Sequence, residues 1–92
     1  MKIEFTLHAW DEFNYWVRYD NAKVEKINEL IRSISQNPFK GLGNPEPLRH
    51  EFQGFWSRRI DFEHRLIYRV TGVKGEDQKI QIIHCRFHYR RE

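Results

Sequence analysis

The spacing of hydrophobic residues changes along this chain, and each change marks a predicted element. Residues 2–7 alternate apolar and polar side chains, which predicts a short strand. From Ala9 the apolar residues recur at helical spacing, which predicts a helix that ends near Arg18 or Tyr19. Its apolar stripe comprises Trp10, Phe13, Trp16 and Val17. We expect Trp10 and Trp16 to be core residues.

A second helical stripe follows almost at once. Asp20 is a good N-cap residue, because its carboxylate can accept hydrogen bonds from the N–H groups of the first turn. Pro38 cannot continue a helix, so the helix is predicted to end before it. Its stripe comprises Val24, Ile27, Ile31 and Ile34. Two helices joined by so short a link are expected to form an antiparallel hairpin.

The rest of the chain has the periodicity of strands. Residues 39–47 are rich in Gly and Pro, which predicts a loop. Strands are predicted at residues 48–51, 55–61, 63–71 and 79–89. Short links between strands favour antiparallel neighbours. The predicted fold class is therefore α+β, with an N-terminal strand and a two-helix hairpin packed on one face of a mostly antiparallel sheet.

Size and composition narrow the class of protein. The chain has 92 residues and a mass of 11.4 kDa, which suits one small domain spanning residues 1–92. No apolar run approaches the roughly 20 residues that span a bilayer, and residues 1–4 lack the apolar stretch of a signal peptide. We therefore expect a cytoplasmic protein without membrane association. Cys85 is the single cysteine, so no internal disulfide can form, and we expect neither a metal site nor a cofactor.

The net charge of +3 is modest but unevenly distributed. Residues 1–56 hold seven Lys and Arg against eight Asp and Glu, whereas residues 57–92 hold nine against five. An anionic partner is expected to bind the basic half. The alternative is a solvated sheet edge whose cations prevent aggregation.

Glu46 is unusual because it lies between two prolines. Pro47 restricts the backbone of Glu46, and Pro45 restricts that of Asn44, so both residues are expected to be extended. A carboxylate on so stiff a segment loses little freedom when it acts, which suits a catalytic group. A solvated acid on a loop is the alternative.

Two arginines flank the short link between two predicted strands. Arg59 and Arg65 are expected on neighbouring strands, where both could bind one anion, and a guanidinium group can hold a phosphate by two hydrogen bonds. The alternative is cross-strand pairing with Asp61 and Glu63.

His88 and Tyr89 lie close to the end of the chain. An imidazole titrates near neutral pH, so His88 is a candidate general acid beside a fixed carboxylate and an arginine pair.

A longer set of residues extends over nearly the whole chain. It comprises Trp10, Trp16, residues 26–31, Asn37-Pro38-Phe39, Gly41, Gly43, Pro45-Glu46-Pro47-Leu48, residues 54–60, Glu63-His64-Arg65-Leu66, Tyr68, Cys85-Arg86 and His88-Tyr89. In these residues the chain closely resembles the YoeB/Txe toxins of bacterial type II toxin–antitoxin systems, within the RelE/ParE superfamily.

The resemblance implies a ribosome-dependent mRNA endonuclease that cuts message in the A site, without a metal ion, and inhibits translation. It implies that Glu46 is the general base, Arg65 the phosphate-stabilising group and His88 the general acid. The substrate-contacting positions that it implies are Arg49, Arg59, Glu63 and Tyr89.

Partners are implied by the same resemblance. A cognate antitoxin of the YefM/Axe type is expected to hold the toxin inactive, the ribosome and mRNA are expected as target and substrate, and a homodimer is expected. The alternative is a ParE-like toxin, which shares the fold and inhibits DNA gyrase without catalysis. The combined presence of Glu46, Arg65 and His88 argues against that alternative.

Overall fold

A computed structural model describes residues 1–87, which form an α+β fold of two helices and one five-stranded sheet. The elements are β1 (Lys2–Phe5), α1 (Leu7–Tyr19), α2 (Asn21–Gln36), β2 (Glu46–Pro47), β3 (Trp56–Arg59), β4 (Arg65–Thr71) and β5 (Lys79–His84). The strand order is β1-β5-β4-β3-β2, with β1 parallel to β5 and the other pairs antiparallel. The predicted fold class is confirmed. Neither helix of this described part is long and apolar enough to cross a membrane.

The junction between the helices depends on Asp20, as the sequence predicts. Asp20 Oδ1 accepts a hydrogen bond from the Ala22 amide at 3.2 Å, which caps α2. The amide of Asp20 donates to the carbonyl of Trp16 at 2.8 Å, which closes the last turn of α1. One residue therefore ends the first helix and begins the second. Helix α2 ends at Gln36, ahead of Pro38, as predicted.

The strand predicted at residues 48–51 is wrong. The strand residues lie earlier, at Glu46–Pro47, and a single 3₁₀ turn covers His50–Phe52. His50 has a φ of 59°, in the left-handed region, which is incompatible with an extended strand.

The last strand is shorter than predicted, because β5 ends at His84. The backbone of Cys85 leaves the sheet ladder and bonds to side chains of α1 instead. Its amide donates to Glu12 Oε1 at 2.8 Å, and its carbonyl accepts from Trp16 Nε1, also at 2.8 Å. Residues 88–89, where the predicted strand ended, lie outside the described residues.

The core fills the space between the two helices and one face of the sheet. It contains Ala9, Trp16, Ile27, Leu30, Ile34, Ile60, Leu66, Tyr68, Ile80, Ile82 and Cys85. The prediction that Trp10 is a core residue is wrong, since it is 48% exposed. Helix α1 turns Ala9 and Trp16 inward, and Trp10 lies about 100° further round the helix from Ala9. Its ring stacks on Phe13 at the surface, with 5.8 Å between ring centroids.

A fully buried arginine joins the helices, the sheet and the loop after α2. All five N–H groups of Arg58 have acceptors within 3.1 Å, and these are Tyr68 Oη, Ser33 Oγ and the carbonyls of Asn37, Lys40 and Leu42. Within residues 1–87 no carboxylate forms an ion pair with it. The carbonyl dipoles, two of them close to the C-terminal end of α2, supply the compensating negative charge.

The loop between α2 and β2 packs closely around this arginine. Gly43 has a φ of 82°, and a Cβ there would lie 2.7 Å from Leu30 Cδ2 and 3.1 Å from Arg58 Cβ. Its carbonyl accepts a hydrogen bond from the Arg59 amide at 2.7 Å. Only glycine allows so close an approach with this backbone conformation. The loop is thereby held against β3, directly before Glu46.

Replacing Arg58 with Leu should destabilise the fold by about 3–5 kcal/mol, because five acceptors packed around the buried guanidinium group lose their donor at once. Urea unfolding followed by circular dichroism measures this change. Arg32→Leu, at an exposed position of α2, is the matched control and should shift stability by less than about 0.5 kcal/mol. Equal stability of the two variants would contradict the role given to Arg58.

The thiol of Cys85 should be unreactive in the native protein. Burial raises the pKa of Cys85 to about 12, and the nearby negative charge of Glu12 adds to the rise. At pH 8 the thiolate fraction, and with it the rate of reaction with a disulfide reagent, should be about 10³-fold below that of an ordinary cysteine. Absorbance after addition of the reagent measures the rate, with the chain unfolded in guanidinium as the control. Rapid stoichiometric labelling of the native chain would show the prediction to be wrong.

Candidate active site

Arg59 of β3 and Arg65 of β4 are directly opposed residues of the β3–β4 hairpin. Opposed residues of antiparallel strands project from the same face of a sheet. Their neighbours Arg58 and Leu66 point into the core, so both candidate arginines project from the face away from the helices. The two arginines are hairpin partners, as the sequence predicts. Two like charges in this position repel each other, which favours binding of an anion between them.

The turn that joins these strands is held by Asp61. Its Oδ1 accepts hydrogen bonds from the amides of Glu63 at 2.8 Å and His64 at 2.6 Å, and its Oδ2 lies 3.2 Å from Lys23 Nζ. Burial alone would raise the pKa of Asp61, but these hydrogen bonds outweigh burial and lower the pKa below its ordinary value. The carboxylate therefore stays ionised and fixes the turn.

The alternative for these two arginines was cross-strand pairing with Asp61 and Glu63. Among residues 1–87 both carboxylates pair with other residues instead. Asp61 pairs with Lys23, and Glu63 Oε1 lies 3.5 Å from His64 Nε2. Arg65 Nη1 donates to the carbonyls of Asp61 at 2.8 Å and His64 at 3.1 Å. Within residues 1–87 its Nε and Nη2 have no partner, so they are available to a ligand.

Glu46 joins the same face through β2. It is opposite Ser57 of β3, and its Oε1 lies 4.0 Å from Arg59 Nη2, with both side chains more than half exposed. Asn44 Nδ2 donates to the same oxygen at 2.9 Å. We call the surface formed by Glu46, Arg59 and Arg65 the arginine face. The Glu46 carboxylate is solvent-exposed, and its contacts with Asn44 and Arg59 orient it on this face.

The expectation that Asn44 is extended is wrong. Its φ is 52°, in the left-handed region, which asparagine tolerates better than most residues. This conformation accompanies the hydrogen bond that the side-chain Nδ2 of Asn44 donates to Glu46 Oε1. The carboxylate is thus oriented by a neighbouring side chain as well as by the prolines.

The structure places Arg49 and Glu63 at the surface, without direct bonds to the arginine face among residues 1–87. Arg49 immediately precedes the 3₁₀ turn, and its carbonyl accepts from the Phe52 amide at 3.1 Å. Glu63 lies in the β3–β4 turn, next to His64.

The end of the described chain is tied to the strand that carries Arg65. The Phe87 amide donates to His64 Nδ1 at 2.7 Å, and the Phe87 carbonyl accepts from the Arg65 amide at 2.8 Å. His88 and Tyr89 lie outside the described residues. The residue before them is bonded to the backbone of Arg65.

Sequence reasoning missed the roles of His64 and Asp61. His64 is 9% exposed, its ring packs edge-on against Trp16 at 4.8 Å, and its Nδ1 accepts the Phe87 amide as a neutral imidazole nitrogen. Alternation along residues 63–71 predicts His64 on the same side as Leu66 and Tyr68, which is the core side, where a polar ring requires a hydrogen-bond partner. The buried position of His64 therefore indicates that its ring forms a hydrogen bond, but it does not indicate that the partner is Phe87.

Comparison with known proteins identifies the family. The family model for the YoeB-like toxin of bacterial type II toxin–antitoxin systems matches residues 5–89. Toxin YoeB of Escherichia coli K12 is 48% identical over 89 residues, covering 97% of this chain and 100% of the relative. A YoeB/ParE toxin from Agrobacterium tumefaciens is 52% identical, covers 97% of this chain and 100% of its own, and superposes with a TM-score of 0.92.

A third relative, from Staphylococcus aureus, has been solved both as a YoeB dimer and as a heterotetrameric YoeB–YefM complex. The dimer is 40% identical with a TM-score of 0.85, and the complex is 40% identical with a TM-score of 0.84. Each covers 97% of this chain and 98% of its own. The fold and the sequence together define a toxin of the RelE/ParE type. More narrowly, the chain belongs to the YoeB-like toxins of bacterial type II toxin–antitoxin systems.

Replacing His64 with Phe should release the end of the chain. Phenylalanine keeps an aromatic ring against Trp16 but removes the acceptor of the Phe87 amide, so exchange of that amide with deuterium should accelerate at least about 10-fold. Nuclear magnetic resonance measures this rate, and the amide of Ile80, a fully buried residue of β5, is the internal control. Unchanged exchange at Phe87 would contradict the tethering role.

Proposed function

We propose that this chain is a ribosome-dependent mRNA endonuclease that cuts message in the A site and thereby inhibits translation. Residues 1–92 act as one toxin domain in this proposal. The observation that supports it best is the opposed pair Arg59 and Arg65, with the Glu46 carboxylate 4.0 Å from Arg59 Nη2. A carboxylate base beside two phosphate-binding cations is suited to cleavage of RNA at a ribose 2′-hydroxyl.

RNA supplies its own nucleophile for this reaction. Glu46 takes the proton of the ribose 2′-hydroxyl, and the 2′ oxygen forms a bond to phosphorus. The bond from phosphorus to the 5′ oxygen breaks, and His88 gives a proton to that leaving oxygen. The products are a 2′,3′-cyclic phosphate and a 5′-hydroxyl, with no metal ion or cofactor. Each positioned acid or base typically contributes about 10²–10⁴-fold to the rate.

Arg65 stabilises the charge that develops on the phosphate oxygens during attack. Its Nη1 group is held by two carbonyls of the β3–β4 turn, so its remaining donors need no reorganisation when charge develops. Arg59, directly opposite, adds a second cation. Phe87, which precedes His88 in the sequence, accepts a hydrogen bond from the Arg65 amide.

The remaining candidates contact the message around the reacting phosphate. Arg49 binds a phosphate, Glu63 contacts the substrate next to the β3–β4 turn, and Tyr89 stacks on a base. The cations of the basic half hold further phosphates of the message or the ribosome. Affinity for RNA should therefore fall steeply as salt concentration rises.

The partners follow from the same proposal. The Staphylococcus aureus relatives were solved as a dimer and as a complex with YefM. We infer that this chain forms a homodimer and binds a YefM/Axe-like antitoxin. An acidic antitoxin segment that folds on binding would cover the basic half and block the arginine face.

Replacing Arg65 with Ala should lower the rate of cleavage of ribosome-bound mRNA by about 10²–10³-fold, because one fixed donor to the transition state is lost. Primer extension on message from purified translation reactions measures both the rate and the position of the cut. Arg32→Ala, on the exposed side of α2, is the matched control and should cut as the parent does. Circular dichroism confirms that both variants are folded.

Full cleavage by the Arg65→Ala variant would overturn the role given to this residue. A parent chain that leaves message intact but stops supercoiling by DNA gyrase would overturn the proposal and favour ParE-like inhibition.

A further inference from the structure

Three side chains that can bind metals meet where α1 packs against the end of β5. His8 Nε2 lies 3.3 Å from Glu12 Oε2, and His84 Nδ1 lies 3.7 Å from Glu12 Oε1. The three ligand atoms, one from each residue, all lie within 4.8 Å of one another. His84 is far from the other two in the sequence, so spacing along the chain gave no sign of this cluster.

The separations match the size of a small coordination sphere. Zinc binds histidine nitrogen and carboxylate oxygen at about 2.0–2.2 Å, so the ligands of a tetrahedral site lie roughly 3.3–3.5 Å apart. His8 Nε2 is already at that distance from Glu12 Oε2, and His84 Nδ1 lies 3.7 Å from the other carboxylate oxygen, Oε1. The three ligand atoms, which lie within 4.8 Å of one another, must move closer together to bind one ion. Three protein ligands leave a fourth position for water.

The carboxylate of Glu12 already has a fixed orientation and a negative charge in the chain without an ion, as a metal ligand requires. Its side chain is 10% exposed, and its Oε1 accepts the Cys85 amide at 2.8 Å, which fixes the direction of the carboxylate. Burial favours the neutral acid, but the nearby His84 and His8 side chains and the hydrogen bond from the Cys85 amide outweigh burial and lower the pKa of Glu12. The carboxylate is therefore ionised at neutral pH.

The histidines complete the site and give access to it. The His8 side chain is 62% exposed and that of His84 is 36% exposed, so an ion can reach the cluster from solvent. Their rings meet edge to face with centroids 4.9 Å apart. Two imidazoles and one carboxylate are a ligand set that suits zinc and similar transition metals better than magnesium or calcium.

We propose that His8, Glu12 and His84 form a binding site for one divalent transition metal ion such as zinc. Our expectation from the sequence was that the chain has no metal site. This site is separate from the arginine face and from the proposed RNA chemistry, which needs no metal. A bound ion would connect the first turn of α1 to the last residue of β5, directly before the segment that leads to His88.

Zinc chloride added to the purified full-length chain tests the proposal. Isothermal titration calorimetry should give one ion per chain, and a zinc concentration about 100-fold above Kd should raise Tm by roughly 10 °C, because the ion binds only the folded state. His8→Ala removes one ligand at an exposed position and should weaken zinc binding by at least about 10-fold. His50→Asn is the matched control, since His50 is exposed, lies outside the cluster and has a positive φ that Asn tolerates. It should bind zinc as the parent does.

Three results would contradict the proposal. The parent chain could fail to bind zinc, or His8→Ala could bind zinc as tightly as the parent does. Loss of zinc binding in His50→Asn would be the third. The readout uses neither RNA nor ribosomes, so its outcome is independent of the proposed endonuclease activity.

Discussion

The buried guanidinium group of Arg58 is the interaction on which the rest of this small fold depends. It binds the end of α2, the loop that follows and the neighbouring strand β4 through five hydrogen bonds, none of them to a carboxylate. A buried cation is costly unless every donor is satisfied. Here the cost is met by oxygens from three separate segments. Any displacement of one segment leaves donors or acceptors unpaired, so the segments are held in one arrangement.

The arginine face depends on that arrangement. Strand alternation makes Arg58 and Arg59 adjacent residues with opposite roles, one directed into the core and one directed outward. The loop that wraps Arg58 leads directly to Glu46, and its Gly43 carbonyl binds the Arg59 amide. Core and candidate site therefore share one backbone segment, and the distance between Glu46 and Arg59 follows from contacts on the other side of the sheet.

Much of the fold and of the arginine face could be predicted from the sequence. The features that could not be predicted have physical reasons. Alternation and the short turn were sufficient to place Arg59 and Arg65 on hairpin partners, since both signals are local. The family resemblance added roles for residues that no periodicity could assign. Bonds between residues far apart in sequence were not predictable, and these include Glu12 with Cys85 and His64 with Phe87. The prediction that Trp10 is a core residue was wrong because the apolar stripe of a helix does not show which of its edges faces the core.

The position of β5 has a consequence for how the protein is made. This strand is synthesised after every other strand described, yet it lies between β1 and β4 and supplies both with their hydrogen-bond partner. Until β5 has been synthesised, β1 has no neighbour in the sheet, and Glu12 and Trp16 lack the backbone groups of Cys85 that they bind. Such non-local pairing delays folding. A nascent chain therefore completes its sheet only after β5 itself has been synthesised.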